Sequence, residues 1–262
     1  MSLYDINGNA LTVDSSGNNA ENINFVRSVN HQGYRVNGAV ENTIPAFLDS
    51  YKEGYKFVET DIRFTKDNIP VLSHNADWGG MTLAEKTYTE MLSVTVGKGI
   101  YQTTIASLDE FIYFCKVHGM HPYLELKEGN AQQAQICIDI VAKYGMLDNV
   151  TWISAYHAYL ENIVAIYPKA RVGYQGSSGT NGSGNESLKT GQNEVFYYIN
   201  FAQISEENCK SIVKAGYKVG AYTISNMNLY SSYVLPLSKL GVTEFTVDMG
   251  HAEDYIRENY GN

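Results

Sequence analysis

In "FVETDIRFT", residues 57–65, Glu59 and Asp61 stand two apart in a run otherwise suited to burial, with Val58, Ile62 and a phenylalanine toward each end. Strand side chains alternate faces, so these two carboxylates point the same way. "PYLELK", residues 122–127, repeats the spacing with Glu125 and Lys127. Three carboxylates gathered in one small volume repel and raise one another's pKa values unless a cation shares the space. Hard oxygen donors in that number suit Mg²⁺ or Ca²⁺. Taken singly, such a pair of strand-end carboxylates is commonly an ion-pair partner for Lys127, Arg63 or Lys56. Two doublets on consecutive strands, with histidines nearby, favour one divalent cation on Glu59, Asp61 and Glu125. His31 ends the strand-like "FVRSVNH" and His74 ends "PVLSH". A lone histidine is usually a structural hydrogen-bonder, but two beside a cation site can give and take protons near neutral pH.

The elements that must position these residues are punctuated by a recurring signal. Five times a helical stretch ends in Lys, Gly follows within three residues, and an apolar strand begins: Lys52/Gly54, Lys116/Gly119, Lys143/Gly145, Lys214/Gly216 and Lys239/Gly241. Lys suits the negative end of a helix, and Gly the left-handed residue that stops it. Helix starts are marked by Ser107 with Glu110, by Asn42 or Thr43 ahead of Pro45, and by Ser205 before Glu206 and Glu207. Eight strands are expected, at about 25–31, 56–64, 122–127, 150–155, 171–175, 195–201, 218–224 and 244–249. Strands alternating with helices over this length predict an α/β fold, a closed (β/α)8 TIM barrel. Residues 66–106 are too long for an ordinary loop and read as a small insertion after strand 2, over the barrel mouth. Residues 176–190 read as a mobile Gly/Ser/Asn-rich loop. Residues 1–24 read as an N-terminal hairpin, turning at Asn7-Gly8, plus a linker, ahead of a barrel domain spanning 25–262.

In such a barrel, chemistry collects at the C-terminal ends of the strands. His31, Glu59, Asp61, Glu125, Lys127, Ser154, Gln175, Asn200, Tyr222 and Asp248 end strands there. His118 and His121 fall at the opposite end and are expected to be structural. His157 starts a helix near the mouth, and His251 is expected at the surface.

The chain of 262 residues is 44% hydrophobic and 18% charged, with 28 acidic against 19 basic residues and a net charge of −9. Without a Lys/Arg cluster, nucleic acid is excluded as a partner. No apolar run approaches the ~20 residues of a membrane span, no secretory-type apolar stretch opens the sequence, and no compartment is assigned. Cys115, Cys137 and Cys209 are odd in number and sit among apolar neighbours, so buried free thiols are expected.

Residues 30–75, "NHQGYRVNGAVENTIPAFLDSYKEGYKFVETDIRFTKDNIPVLSHN", resemble the N-terminal half of the glycerophosphodiester phosphodiesterases. His31-Gln32-Gly33 stands for that family's His-Arg-Gly, and Glu41-Asn42-Thr43 for its Glu-Asn-Thr. Glu59-Thr60-Asp61 stands for its Glu-x-Asp, and Thr65, Asp67 and His74-Asn75 for the segment ending in His-Asp. "YLELK", "AYTISN" and "GVTEFTVD" are similar to its later strands, so the likeness spans about residues 25–258. It implies a barrel enzyme of glycerol and lipid metabolism that hydrolyses glycerophosphodiesters to an alcohol and glycerol 3-phosphate. It implies the divalent cation on Glu59, Asp61 and Glu125, His31 and His74 as the acid/base pair, and Lys127, Gln32 and Tyr222 around substrate and phosphate. The substrate it implies is a small or polymeric glycerol phosphodiester, such as a deacylated phospholipid or a teichoic acid. Alternatives are a phospholyase of the sphingomyelinase D type that stops at a cyclic phosphate, and a non-catalytic binding module. The departures are Gln32 for the family arginine, with Arg35 as a substitute cation, and Asn75 for an Asp. Abundant tyrosines, with Trp78, would suit a mouth that packs on glycerol or sugar, or simply a Tyr-rich core.

Overall fold

The computed structural model describes residues 3–4, 10–11, 26–176 and 185–259. Eight strands form the barrel: β1 (Arg27–His31), β2 (Phe57–Phe64), β3 (His121–Leu126), β4 (Thr151–Ser154), β5 (Arg171–Tyr174), β6 (Val195–Asn200), β7 (Lys218–Ile224) and β8 (Val242–Val247). Each pairs in parallel with the next, and β8 pairs with β1, which closes the ring. β8 starts two residues earlier than expected because it begins directly after Gly241, so "VT" is strand rather than turn.

Helices α1 (Ile44–Lys52), α2 (Leu108–His118), α3 (Ala131–Lys143), α4 (His157–Ile166), α5 (Glu206–Lys214), α6 (Leu235–Lys239) and α7 (Ala252–Asn259) cover the outside. Between β5 and β6 the described residues hold only the 3-10 turn Glu186–Leu188. Residues 177–184, most of the expected mobile loop, lie outside the described residues. The five punctuating glycines, Gly54, Gly119, Gly145, Gly216 and Gly241, all have positive φ, a region open to Gly without steric cost. Ser107 and Glu110 form a full capping box at α2. At α1 it is Thr43, not Asn42, that caps; Asn42 is engaged elsewhere. Leu3–Tyr4 pairs antiparallel with Ala10–Leu11, while Asn7 and Gly8 lie outside the described residues. Among the described residues no helix is long and apolar enough to cross a membrane. All three cysteines are buried free thiols.

The barrel interior has two floors. Val29, Tyr123, Ile153, Phe196 and Tyr198 make an apolar layer. A Cβ on Gly173 or Gly220 would lie 2.2 or 2.3 Å from the Tyr198 ring, so these two glycines are the slot that holds it. At the N-terminal end Arg171 pairs with Glu244, which also accepts from the Tyr198 hydroxyl, with Arg27 3.6 Å away.

β2 runs on past its parallel partners, and Pro70–Leu72 returns antiparallel beside it, with Ile62 opposite Leu72 and Phe64 opposite Pro70. This stem opens the insertion, which packs around its own cluster of Val71, Trp78, Leu83, Met91 and Ile105. Trp78 is buried there, so it serves packing rather than a ligand-facing mouth. Tyr101 ties the insertion to α1 by donating to Asp49 Oδ2 at 2.7 Å.

Candidate active site

The C-terminal ends of β1, β2 and β3 converge. Glu59 and Asp61 are 2% and 1% exposed and Glu125 is 8% exposed. One oxygen from each lies within 4.8 Å of the others, the one such group of three among the described residues. Lys127 Nζ sits 2.6 Å from Glu125 Oε1 and 3.1 Å from Asp61 Oδ1. Gln175 Nε2 reaches Glu125 Oε2 at 3.4 Å. Glu59 Oε1 is buried with no hydrogen-bond partner, and Asp61 Oδ1 has only the ion-pair distance to Lys127, without hydrogen-bond direction. Buried carboxylate oxygens are normally satisfied, so these two fit a cation ligated by Glu59, Asp61 and Glu125.

Beyond His31 the chain turns left-handed at Gln32, φ 56°, and again at Asn42, φ 57°. The Gln32 main-chain N–H donates to Glu59 O at 3.0 Å and to Glu59 Oε2 at 3.1 Å. Its side-chain amide donates to Asp61 Oδ2 at 2.8 Å, as does the amide of Asn42. The carboxylates therefore do not all shift upward together, as the sequence suggested. Burial pushes Glu59 well up, with Asp61 and Glu125 adding to it. Burial, then Asp61, pushes Glu125 up. Burial also acts upward on Asp61, but Lys127 and the Asn42 hydrogen bond outweigh it and hold that group below the usual range. For Lys127 burial works against the ammonium, yet Asp61 and Glu125 overcome it and raise its pKa.

His31 Nδ1 lies 2.9 Å from Asp248 Oδ1, and the same oxygen takes Arg35 Nη2 at 2.7 Å. Arg35 also reaches Glu41 Oε2 at 3.3 Å, so this substitute cation is paired with two carboxylates. Burial raises Asp248, but the His31 hydrogen bond and the Arg35 charge bring it below its ordinary value. His74 follows the return strand and is exposed; its Nδ1 meets Asn75 Oδ1 at 3.3 Å, and its carbonyl accepts from Arg63 Nε at 2.9 Å. It contributes to the lowering of Asp61. Tyr222 is half-buried on β7, its phenol raised by burial and by Glu125.

The structure thus joins Gln32, Glu59, Asp61, Glu125 and Lys127 in one network, sets His31 beside it through β1, and leaves His74 at an exposed rim. Sequence reasoning assigned no site role to Asn42, Gln175 or Asp248. Gln175 and Asp248 were visible as strand-end polar residues, and Asn42 as an Asn just before a helix cap, where left-handed backbone is common. Of the other histidines, His118 stacks on Phe114, His121 opens β3 at the far end, and His157 packs on Tyr174. His251 is half-buried against Tyr55 rather than on the surface, because stacking on that ring covers it.

A closed parallel barrel whose strand ends gather buried carboxylates, a lysine and histidines defines a class, the (β/α)8-barrel enzymes. The sequence profile of the glycerophosphoryl diester phosphodiesterase family matches residues 31–249, and the chain belongs to that family, whose members are phosphoric diester hydrolases. Its fold is similar to a phosphodiesterase from Oleispira antarctica solved in complex with the product sn-glycerol-3-phosphate, at 24% identity and TM-score 0.75, covering 86% of this chain and 93% of that one. It is also similar to a glycerophosphodiester phosphodiesterase from Parabacteroides distasonis, at 18% identity and TM-score 0.74, covering 89% of this chain and 96% of that one. A search of curated proteins gives no match.

Proposed function

We propose that this chain hydrolyses glycerophosphodiesters to an alcohol and glycerol 3-phosphate, with His31 and His74 exchanging protons beside one divalent cation, Mg²⁺ or Ca²⁺, on Glu59, Asp61 and Glu125. The observation that carries the reading is the buried trio at the strand ends, with Glu59 Oε1 lacking a hydrogen-bond partner and Asp61 Oδ1 facing only Lys127. The product held by the Oleispira antarctica relative supports the substrate class. A cation bound there would offset the growing negative charge on a phosphoryl oxygen. Lys127, kept protonated by its two carboxylates, adds a second positive charge toward the anionic diester. With Nδ1 bonded to Asp248, neutral His31 carries its proton on Nδ1 and leaves Nε2 as the base. His31 takes the proton of the glycerol hydroxyl that attacks phosphorus. His74 protonates the departing alcohol oxygen, and the resulting cyclic phosphate is opened by water with the two roles exchanged. Tyr222 walls the side of the site next to Glu125.

The test is a screen of small glycerophosphodiesters and a glycerol-phosphate polymer, with and without EDTA. Turnover should vanish on chelation and return with Mg²⁺ or Ca²⁺; indifference to EDTA sinks the cation. His31→Ala and His74→Ala should each lower turnover by about 10²-fold or more with an unchanged circular dichroism spectrum. Phosphorus NMR should end on a glycerol phosphate monoester, whereas a cyclic diester as final product would make the enzyme a phospholyase.

A further inference from the structure

Positions 32 and 42 are both amides in left-handed backbone, and both side chains grip one oxygen, Asp61 Oδ2, at 2.8 Å. They are tied together, since Asn42 N–H donates to Gln32 O at 2.9 Å. Asn42 Oδ1 in turn accepts from Thr60 Oγ1 at 2.7 Å and from the Asp61 main-chain N–H at 3.0 Å. Left-handed backbone is uncommon for a residue other than glycine, Asn and Asp being the usual exceptions. A glutamine held there, 4% exposed, is fixed by what its two N–H groups reach.

Those two groups divide the carboxylates of β2 in a regular way. The main-chain N–H of Gln32 occupies Glu59 Oε2 and its amide occupies Asp61 Oδ2. The oxygens left without a hydrogen bond are Glu59 Oε1 and Asp61 Oδ1. One residue therefore takes one oxygen from each carboxylate and leaves one. A carboxylate so held has one oxygen free of hydrogen bonds to turn toward a cation, which favours single-oxygen ligation. Ca²⁺ commonly takes both oxygens of a carboxylate in a loose sphere of six to eight ligands, whereas Mg²⁺ demands a compact octahedron of single-oxygen ligands and waters.

We propose that Gln32 is a positioning residue that sets which cation the site takes. By holding Glu59 and Asp61 as single-oxygen ligands it favours Mg²⁺ over Ca²⁺, and its amide does not touch the phosphate. The inference rests on the reading of Glu59, Asp61 and Glu125 as the cation site. Removing the amide leaves Asp61 Oδ2 with one donor, Asn42, in place of two, and a partner residue behind a metal ligand typically changes affinity by about 10- to 100-fold.

The experiment is calorimetric titration of EDTA-stripped protein with MgCl₂ and, separately, CaCl₂, for the wild type, Gln32→Met and Gln32→Asn. Methionine keeps the length and main-chain N–H without the amide, and asparagine withdraws the amide while tolerating left-handed backbone, so one variant serves if the other melts early by circular dichroism. Wild type should bind Mg²⁺ more tightly than Ca²⁺, and the ratio of the two Kd values should move about tenfold toward Ca²⁺ in the variants. The KM for a diester, measured at saturating cation, should move far less. Tighter Ca²⁺ binding by the wild type, or an unchanged ratio in folded variants, overturns the role given to Gln32 and leaves the cation site standing. So does a raised KM with cation preference unchanged, which would make Gln32 a substrate contact. No saturable binding of either cation by the wild type overturns the cation reading, and this inference with it.

Discussion

Glu59 and Asp61 are two residues apart on one strand, equally buried, yet their pKa values move in opposite directions. The difference is company. Asp61 has Lys127 at 3.1 Å and two amide donors, while Glu59 has one main-chain donor and two like charges. Burial alone disfavours both anions, so the specific partners decide which carboxylate is comfortable. The same logic singles out Asp248. Its contact with His31 Nδ1 favours the tautomer that the proposed base role of Nε2 needs. An amide in its place can donate to Nδ1 and stabilise the opposite tautomer. Asp248→Asn should therefore lower kcat by about 10²-fold with little change in KM. Steady-state kinetics check it, and an unaltered kcat would remove Asp248 from the account of His31.

At the scale of elements, much was readable because local chemistry and fold agree. The Lys–Gly punctuation located five strand starts, since helix ends are stabilised by the same residues wherever they occur. Period-two spacing placed Glu59 with Asp61, and Glu125 with Lys127, on shared faces before any fold was assumed. Contacts set by backbone shape were not readable. Thr43 rather than Asn42 caps α1 because the left-handed turn at Asn42 carries its amide to Asp61, and no spacing rule signals that. The Gln32 amide reaches Asp61 for the same reason. The glycines of β5 and β7 also had no sequence signal, because their purpose is a ring from β6. A Cβ at Gly173 would sit 2.2 Å from that ring and 2.9 Å from Ile153, and Gly220 bars retreat on the other side. Gly173→Ala should cost about 1–3 kcal/mol, read as a lower midpoint in urea at unchanged slope. A neutral result would mean the Tyr198 slot is slack.

Across the whole molecule the barrel separates stability from reactivity. The Arg171–Glu244 pair closes the N-terminal end, the apolar layer lies between, and the carboxylate trio faces the mouth. Burial acts upward on Glu244, but Arg171 and Arg27 outweigh it and depress its pKa. A carboxyl depressed by folding stabilises above its unfolded value, near ~4.3, and that contribution is lost as pH falls through the folded value. Glu244→Gln should cost about 3 kcal/mol near pH 7, since the buried Arg171 then keeps only the half-exposed Glu194 as a carboxylate partner. It should also flatten the acid limb of the stability curve, followed by denaturation at pH 7 and at successively lower pH. Parallel acid limbs for variant and wild type would mean other carboxyls govern it. The insertion adds a second separation. Its core draws no residue from β1–β8, and its hold on α1 includes one tyrosine hydroxyl. Descent with modification can therefore treat the two parts unequally: drift among Trp78, Leu83, Met91 and Ile105 is judged by that small core, whereas Leu72 and Ala106 near the insertion's two ends answer to the barrel's main core. Lineages sharing this architecture can keep the strand ends and diverge in the segment that follows β2.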